Sequence, residues 1–294
     1  MGEKGYNLNG KTAIITGASR GLGLAIANEY ASCGANMIIC GRNRQTLEIA
    51  ADMIGKLCTC DAQIIRPVVA DTGSESDVDA LIRNVVKETG GFDILVNNAA
   101  IQGPIGPIED NDWEKWKRTL STDLIGPAYL MRKAIEHYKS SNIRGKIINI
   151  SGGGATGSRP NFSAYAASKV ALVRLTEILA DEVKEYGIDI NAIAPGAMRS
   201  AMTDEIAGAG ARAGDKEIQT AQKLIENGDD CKEVAAKLAL FLASDRSNGI
   251  TGRLISAKWD KWDKFPDIRE ELQNSDVYTL RRITARDRGL DWDR

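Results

Sequence analysis

The sequence is short of the features that mark several other classes of protein. It contains no run of ~18 consecutive apolar residues, the length of a membrane-spanning helix, and residues 1–10 lack the apolar core of a secretory signal. Its five cysteines are an odd and scattered set, as expected of reduced thiols, and it has one histidine. A formal net charge of −2 gives no electrostatic reason to expect nucleic acid or an anionic membrane as a partner. We therefore expect a cytoplasmic protein without a metal site.

Short apolar runs alternate with stretches of helical periodicity along most of the chain. The runs that predict buried strands lie at 12–16, 36–40, 62–69, 93–97, 146–150, 188–193 and 253–256. The predicted helices lie at 21–33, 45–57, 74–88, 110–139, 162–186 and 232–243. Such alternation predicts an α/β fold, a single doubly wound parallel sheet of about seven strands with helices on both faces.

A glycine-rich turn joins the first predicted strand to the first predicted helix. Gly17, Gly21 and Gly23 give it the pattern G-x-x-x-G-x-G. Glycine permits a tight turn there, lets a pyrophosphate approach the backbone, and lets helix and strand pack closely. The N-terminus of the following helix presents N–H groups and a positive dipole end to phosphates. The turn therefore predicts a dinucleotide site, and the alternative is a plain strand–helix turn.

Tyr165 and Lys169 lie four residues apart in a predicted helix, and so share one of its faces. A tyrosine has an ordinary pKa of about 10, which a neighbouring ammonium lowers. Such a tyrosine donates a proton to a carbonyl oxygen or accepts one from an alcohol near neutral pH. The pair therefore predicts proton-transfer chemistry, and the alternative is an ordinary amphipathic helix.

The order of the motifs is similar to that of a known family. After the glycine turn come Asn-Asn-Ala-Ala at 97–100, Tyr-x-x-x-Lys at 165–169, Asn-x-x-x-Pro-Gly at 191–196 and Ile-Thr-Gly at 250–252. Together they resemble the short-chain dehydrogenase/reductase family over roughly residues 8–257. The resemblance implies a Rossmann-type fold and hydride transfer between a nicotinamide cofactor and a carbonyl or secondary alcohol of a small molecule. It also implies a homodimer or homotetramer.

The end of the second strand indicates which cofactor is bound. Dinucleotide folds that prefer NAD place a carboxylate there, whereas an arginine suits the 2′-phosphate of NADP. Here Arg42 follows the strand, and Arg20 stands in the glycine turn. We therefore expect NADP rather than NAD, unless both arginines are solvated surface residues. By resemblance, Asp71 contacts the adenine, Lys169 the ribose and Ser200 the nicotinamide carboxamide. The full set of predicted cofactor-binding residues is Gly17, Ser19, Arg20, Gly21, Leu22, Gly23, Arg42, Asp71, Asn98, Ala99, Tyr165, Lys169, Pro195, Gly196 and Ser200.

Two positions depart from the family pattern. Gly152 stands where the family has its catalytic serine, with Ser151 as its immediate neighbour. Asp123 stands where the family has an asparagine, whose role there is to link the lysine to solvent. We predict Tyr165 as the acid/base and Lys169 as its activator. Asp123 and Ser151 complete the predicted catalytic set.

The glycine run 152–154 carries two further expectations. It would leave room for a bulky polar substrate, and the hydrogen bond lost with the serine would come from Thr156, Ser158 or a backbone N–H. Loss of such a donor costs a few kcal/mol. Two other functions therefore remain open: a cofactor-binding regulatory or assembly subunit with weak or no catalysis, and a redox-assisted epimerase or dehydratase.

The composition changes after Ala257. The segment beyond it is strongly charged and carries Trp259, Trp262, Phe265 and Trp292. We predict an NADP-binding domain with an integrated substrate site at 1–257 and a C-terminal extension at 258–294. The extension would cover the active site of its own subunit, contact a neighbour, or lie on the surface anchored by one or two tryptophans. The Gly/Ala-rich stretch 200–228 is expected to form a mobile lid.

Overall fold

A parallel sheet organises the protein. The computed structural model describes residues 5–227 and 231–292, and within them seven strands have the order β3-β2-β1-β4-β5-β6-β7. The strands are β1 (Thr12–Thr16), β2 (Asn36–Gly41), β3 (Ile65–Val69), β4 (Ile94–Asn97), β5 (Lys146–Ile150), β6 (Asp189–Ala194) and β7 (Leu254–Ser256). All neighbouring pairs are parallel. The strand order reverses beside β1, the switch point at which doubly wound sheets bind ligands. The predicted fold class is confirmed.

Helices cover both faces of this sheet. They are α1 (Gly21–Ser32), α2 (Arg44–Gly55), α3 (Glu75–Thr89), α4 (Trp113–Leu120), α5 (Gly126–Ser141), α6 (Ser163–Val183), α7 (Ala201–Gly208), α8 (Asp215–Asn227), α9 (Lys232–Ala243) and α10 (Arg269–Gln273). Ala13 and Ile15 of β1 face a core shared with α1, α2 and α9, whereas Ile14 faces a core shared with α3, α5 and α6. Burial of both sheet faces explains why the strands are continuous apolar runs. Across the described ranges, no helix has the length and apolar character to cross a membrane.

The long helical stretch predicted at 110–139 is present from 113 to 141, but not all of its turns are α-helical. A π-helical turn at Ser121–Ile125 separates α4 from α5. Pro127 at the start of α5 has no N–H to donate to the preceding turn. Gly126 passes so close to Thr72 that an added Cβ would stand 2.1 Å from the Thr72 carbonyl oxygen. The distorted turn contains Asp123, which it holds in a fully buried position.

The Gly/Ala-rich stretch after Ser200 forms helices, and its role as a mobile lid stays a prediction. Ser200 begins α7 with a capping box, because its hydroxyl accepts the Thr203 N–H and the Thr203 hydroxyl accepts the Ser200 N–H. A short 3-10 turn leads to α8, and Ile206 buries against Phe162 beneath these helices. Gly228, the last residue of the predicted lid, lies outside the described residues.

The C-terminal segment covers the outer edge of the sheet. The Leu254 N–H of β7 donates to the Tyr278 carbonyl at 2.8 Å, so the segment takes up part of the unpaired backbone of this edge strand. The buried Arg253 guanidinium donates to three carbonyls of the same segment, those of Leu272, Ser275 and Val277. These bonds fix the segment along β7.

The aromatic residues of this segment have different positions. Phe265 is buried in the core that includes β7, and Trp262 packs against Phe241 with ring centroids 5.6 Å apart. Trp292 is exposed, and Trp259 is 78% exposed at the rim of the cleft described below. The segment is therefore anchored by Trp262 and Phe265.

Candidate active site

One cleft of about 970 Å³ lies at the carboxyl ends of the strands. Its lining contains the glycine turn, the ends of β2, β4, β5 and β6, and parts of α6, α7 and α8. All the predicted site residues line it except Gly23 and Asp123, which lie just behind its surface. The fold thus brings together side chains that the sequence separates widely. Among the described residues, no group of three His, Cys, Asp or Glu side chains is placed to hold a metal ion.

The three glycines of the turn meet three different structural needs. Gly17 and Gly21 have φ of +65° and +60°, which other residues rarely adopt. A Cβ on Gly17 would stand 2.9 Å from Ala99 Cα, so two loops pass close together there. A Cβ on Gly23 would stand 2.5 Å from both Asn98 Nδ2 and the Gly17 carbonyl oxygen. Gly23 is therefore the packing glycine of the turn, which explains its absence from the cleft surface.

The N-terminus of α1 fits a dinucleotide phosphate. Arg20 is its N-cap in an extended conformation, and no side chain caps the first N–H groups. These N–H groups are the donors that a bound phosphate would satisfy. Arg42 lies in the same lining at the end of β2, where no carboxylate closes the strand.

Asn98 braces the glycine turn from behind. Its Nδ2 donates to the Thr16 and Gly17 carbonyls at 2.9 and 3.1 Å. The Thr16 hydroxyl accepts the N–H groups of Asn98 and Ala99, both at 3.0 Å. The sequence analysis missed Thr16, although its place at the end of β1, directly before the first glycine, could have indicated a role at the turn.

Tyr165 and Lys169 share the inner face of α6 toward the cleft. Both are largely buried, with exposures of 8% and 2%. Lys169 Nζ donates to the Ile150 carbonyl at 3.1 Å and lies 5.4 Å from the centroid of the Tyr165 ring. The predicted juxtaposition of phenol and ammonium is therefore present in the structure.

The electrostatic balance at Tyr165 differs from the expectation. Burial raises the pKa of Tyr165 above its ordinary value, and the Asp123 carboxylate acts in the same direction. The opposing influence comes from Arg159, whose positive charge lowers the pKa of Tyr165. The predicted net lowering of this pKa by Lys169 is therefore wrong, because desolvation of the phenolate outweighs the nearby cations. Burial also lowers the pKa of Lys169, against the influence of Asp123.

Asp123 lies beneath the cleft. Its Oδ1 accepts the Ile101 N–H at 2.9 Å, whereas its Oδ2 is buried without a hydrogen-bond partner among the described residues. Burial raises the pKa of Asp123 to about 6, although the charge of Lys169 and the Ile101 N–H both lower it. A carboxyl in this environment exchanges its proton close to neutral pH.

Side chains of the protein border the glycine run. An ideal Cβ on Gly152 would stand 2.2 Å from Tyr165 Oη, and one on Gly153 would be in ordinary van der Waals contact with the side chain of Arg159, at 3.5 Å. Room for a bulky polar substrate beside the run stays a prediction. Ser151 lines the cleft, but its Oγ has almost no exposed surface and no hydrogen-bond partner within the described residues.

Arg159 is a cleft residue that sequence reasoning missed. Its Nη2 donates to Glu217 Oε2 of α8 at 2.7 Å. Its guanidinium lies 4.1 Å from the centroid of the Phe162 ring and 5.6 Å from that of Tyr165. Arg159 belongs to the loop before α6, so no helical spacing relates it to Tyr165, and no sequence signal pointed to Glu217.

The chain matches the family model of the short chain dehydrogenases over residues 11–209. That match covers more than half of the sequence, and the chain belongs to the short-chain dehydrogenase/reductase family. It is accordingly an oxidoreductase that acts on CH–OH or C=O groups of small molecules with a nicotinamide cofactor, NAD or NADP.

Several characterised members are similar over most of their length. The 3beta-hydroxysteroid dehydrogenase 1 of Eggerthella lenta is 34% identical over 256 residues, which cover 85% of this chain and 92% of that protein. The D-beta-hydroxybutyrate dehydrogenase of Rhizobium meliloti is 34% identical over 258 residues, which cover 84% of this chain and 96% of that protein. The structure of NAD⁺-bound xylitol dehydrogenase superposes with a TM-score of 0.76 at 27% identity, over 85% of this chain and 98% of that one.

Proposed function

We propose that this protein is an NADP-dependent oxidoreductase of a carbonyl or secondary alcohol in a small polar metabolite, with Tyr165 as acid/base assisted by Lys169. The observation that carries the proposal is that Tyr165 and Lys169 line the same cleft as the glycine turn of β1 and α1. A phenol that can donate a proton and a turn suited to phosphate thereby face one space.

The preference for NADP rests on the charges around the turn. Arg42 and Arg20 both line the cleft, and the end of β2 offers no carboxylate to a ribose hydroxyl. A guanidinium pairs with a phosphate through charge-assisted hydrogen bonds, which are stronger than bonds to a neutral hydroxyl. Both arginines therefore favour the cofactor that carries a 2′-phosphate.

The protein side chains handle the proton. A bound nicotinamide supplies or accepts the hydride at the substrate carbon. Tyr165 donates its proton to the carbonyl oxygen during reduction and recovers one afterwards. Lys169, fixed by the Ile150 carbonyl, holds a positive charge beside the phenol. Asp123, whose pKa is about 6, lies behind this pair. It exchanges the proton that passes between Lys169 and solvent.

Named relatives act on diverse alcohols, among them a hydroxysteroid, hydroxybutyrate and galactitol. This range supports a secondary alcohol or ketone as the reacting group. The proposal includes a cytoplasmic location and a homodimer or homotetramer, as expected from the sequence.

A cofactor titration and a turnover assay test the proposal. NADPH should quench the fluorescence of the wild-type protein at lower concentrations than NADH does. The wild-type protein should also oxidise NADPH in the presence of members of a panel of aldehydes and ketones. Arg42→Ala should lower the affinity for NADPH by about 10–100-fold, as for loss of a charged hydrogen bond. The affinity for NADH should be nearly unchanged. Arg44→Ala, an exposed neighbour on α2 outside the cleft lining, is the matched control.

Tyr165→Phe should abolish turnover while NADPH still binds. Tyr186→Phe is its control, because Tyr186 is exposed at the far end of α6. Equal affinity for both cofactors would refute the NADP assignment. Full turnover by Tyr165→Phe would refute the role of the tyrosine.

A second candidate function is a cofactor-binding regulatory or assembly subunit with weak or no catalysis. The observation that favours it is the missing hydroxyl at Gly152, combined with the upward pKa shift of Tyr165. Tight NADPH binding without turnover of any compound, and no change on Tyr165→Phe, would support this second function.

A further inference from the structure

The reacting oxygen of a carbonyl substrate needs a hydrogen-bond donor besides Tyr165, because negative charge develops on it during hydride transfer. Gly152 offers no side chain, and Tyr165 Oη takes the space where one would begin. The Ser151 hydroxyl has almost no exposed surface, so a substrate in the cleft does not reach it. Thr156 and Ser158 are exposed in the loop that follows, where water competes for their hydroxyls. Apart from the backbone N–H groups of the glycine run, a donor must therefore come from another side chain of the cleft lining.

Arg159 presents a donor group in this part of the cleft. Its side chain lies against Gly153, where an ideal Cβ would be 3.5 Å from its Cδ, Nε and Cζ. The guanidinium is 5.6 Å from the centroid of the Tyr165 ring and rests on the Phe162 ring at 4.1 Å. The side chains of Arg159 and Glu217 are 14% and 24% exposed, so their ion pair faces the cleft from partly buried positions. The arginine side chain thus lies in contact with the glycine run and beside the phenol.

We infer that Arg159 donates a hydrogen bond from its guanidinium to the oxygen of the reacting carbonyl, in place of the missing serine hydroxyl. The inference rests on the proposed function. Glu217 is a positioning residue, because its carboxylate holds Nη2 and thereby orients the guanidinium plane. A guanidinium carries five N–H donors, so the bond to Glu217 leaves donors for a substrate.

The step balances without a proton from the arginine. The carbonyl carbon gains the hydride and its two electrons, the C=O π bond breaks, and the oxygen takes the proton of Tyr165 Oη. Arg159 gives up no proton in this step, because a guanidinium is not deprotonated in proteins. Its charge stabilises the developing oxyanion and the phenolate that Tyr165 becomes. One cation thus serves both oxygens in the transition state.

The test compares variants of the whole chain. Arg159→Gln removes the charge, Arg159→Lys keeps the charge but not the planar fork, and Arg212→Gln is the matched control. Arg212 is an exposed arginine beside α8 that does not line the cleft. Each is assayed with NADPH and the aldehyde and ketone panel for kcat, KM and their pH profiles. NADPH affinity and thermal unfolding are measured alongside.

Arg159→Gln is expected to lower kcat by about 10²–10³-fold, as for removal of an oxyanion donor, with NADPH affinity unchanged. The apparent pKa of Tyr165 in the pH profile of kcat/KM should move upward, because the variant lacks the cation that lowers the pKa of Tyr165. A further variant, Arg159→Ala, lacks the guanidinium group altogether. Added guanidinium ion should restore part of its rate. The kcat of Arg159→Lys should lie between that of the wild-type protein and that of Arg159→Gln.

Three contrary results have different meanings. If wild type turns over the panel and Arg159→Gln keeps kcat within about threefold with an unshifted pH limb, the inference is wrong and the proposed function stands. If wild type binds NADPH and turns over nothing, the proposed function fails and the inference with it. If Arg159→Gln does not fold, an Arg159→Lys variant that folds with wild-type kcat and pH profile overturns the inference.

Discussion

The hydroxyl of Tyr165 and the backbone of Gly152 are fitted to each other. A Cβ on Gly152 would stand 2.2 Å from Tyr165 Oη, far inside van der Waals contact. The departure from the family pattern at residue 152 is therefore coupled to the position of Tyr165. A residue with a side chain at 152 requires this tyrosine to lie elsewhere.

Gly152→Ala should displace Tyr165 and damage both stability and activity. Overpacking of a buried site costs about 1–3 kcal/mol of the free energy of unfolding, and the shifted phenol should lower kcat. Urea unfolding and NADPH turnover measure the two effects. Gly157→Ala is the matched control, because a Cβ there meets nothing within 4 Å in the same loop. Equal stability of the two variants would show that the tyrosine is free to move.

Asp123→Asn should change how stability depends on pH. Burial raises the pKa of Asp123 from 3.8 to about 6, so the folded state holds this proton more tightly than the unfolded state. The associated stability is fully present below the unfolded pKa and is lost as pH rises through about 6. A shift of this size corresponds to a loss of about 3 kcal/mol by pH 7. Asparagine does not titrate and should lack this decline.

Urea unfolding of both proteins between pH 4 and pH 8 measures this difference. Asp61→Asn is the control, since Asp61 is an exposed loop residue. Parallel stability curves for wild type and Asp123→Asn would contradict the buried, proton-retaining carboxyl.

Arg253→Gln should loosen the C-terminal segment from the sheet edge. The change removes the donor to three carbonyls, those of Leu272, Ser275 and Val277. Loss of buried, charge-assisted bonds costs about 2–4 kcal/mol. Limited proteolysis should then cut within the segment faster than in wild type, and Tm should fall. Arg282→Gln, an exposed arginine of the same segment, should behave as wild type. Unchanged protease resistance would mean that the core contacts of Phe265 suffice to hold it.

The parts of the fold that depend on neighbouring residues could be predicted from the sequence. Apolar runs defined the seven strands because both faces of the sheet are buried. The helix predicted at 74–88 is α3, and Ser74 caps it by accepting the Asp77 N–H. The site residues at 17–23 and 165–169 were likewise identified by spacing within one turn or helix.

The parts that depend on distant contacts could not be predicted. Beside the π-helical turn around Asp123, Gly126 closely approaches Thr72, a contact between distant residues that no local pattern encodes. The place of Arg159 in the cleft depends on Glu217, 58 residues further along the chain. The pKa of Tyr165 depends on how deeply the whole fold buries it, and spacing alone gave the wrong direction.

Gly23→Ala should separate close packing from conformational freedom in the phosphate-binding turn. Gly23 lies in α1 without a positive φ, yet a Cβ there would stand 2.5 Å from the Gly17 carbonyl oxygen and from Asn98 Nδ2. The methyl must push α1 away from the turn, so the N–H groups at its start lose their position relative to the phosphate. We expect unfolding to become easier by about 1–3 kcal/mol and NADPH affinity to fall. Gly55→Ala in α2 adds the same methyl with nothing within 4 Å, and should leave affinity unchanged while stability rises by up to about 1 kcal/mol. Fluorescence titration and urea unfolding distinguish the two variants, and wild-type affinity in Gly23→Ala would mean that the turn does not hold the cofactor.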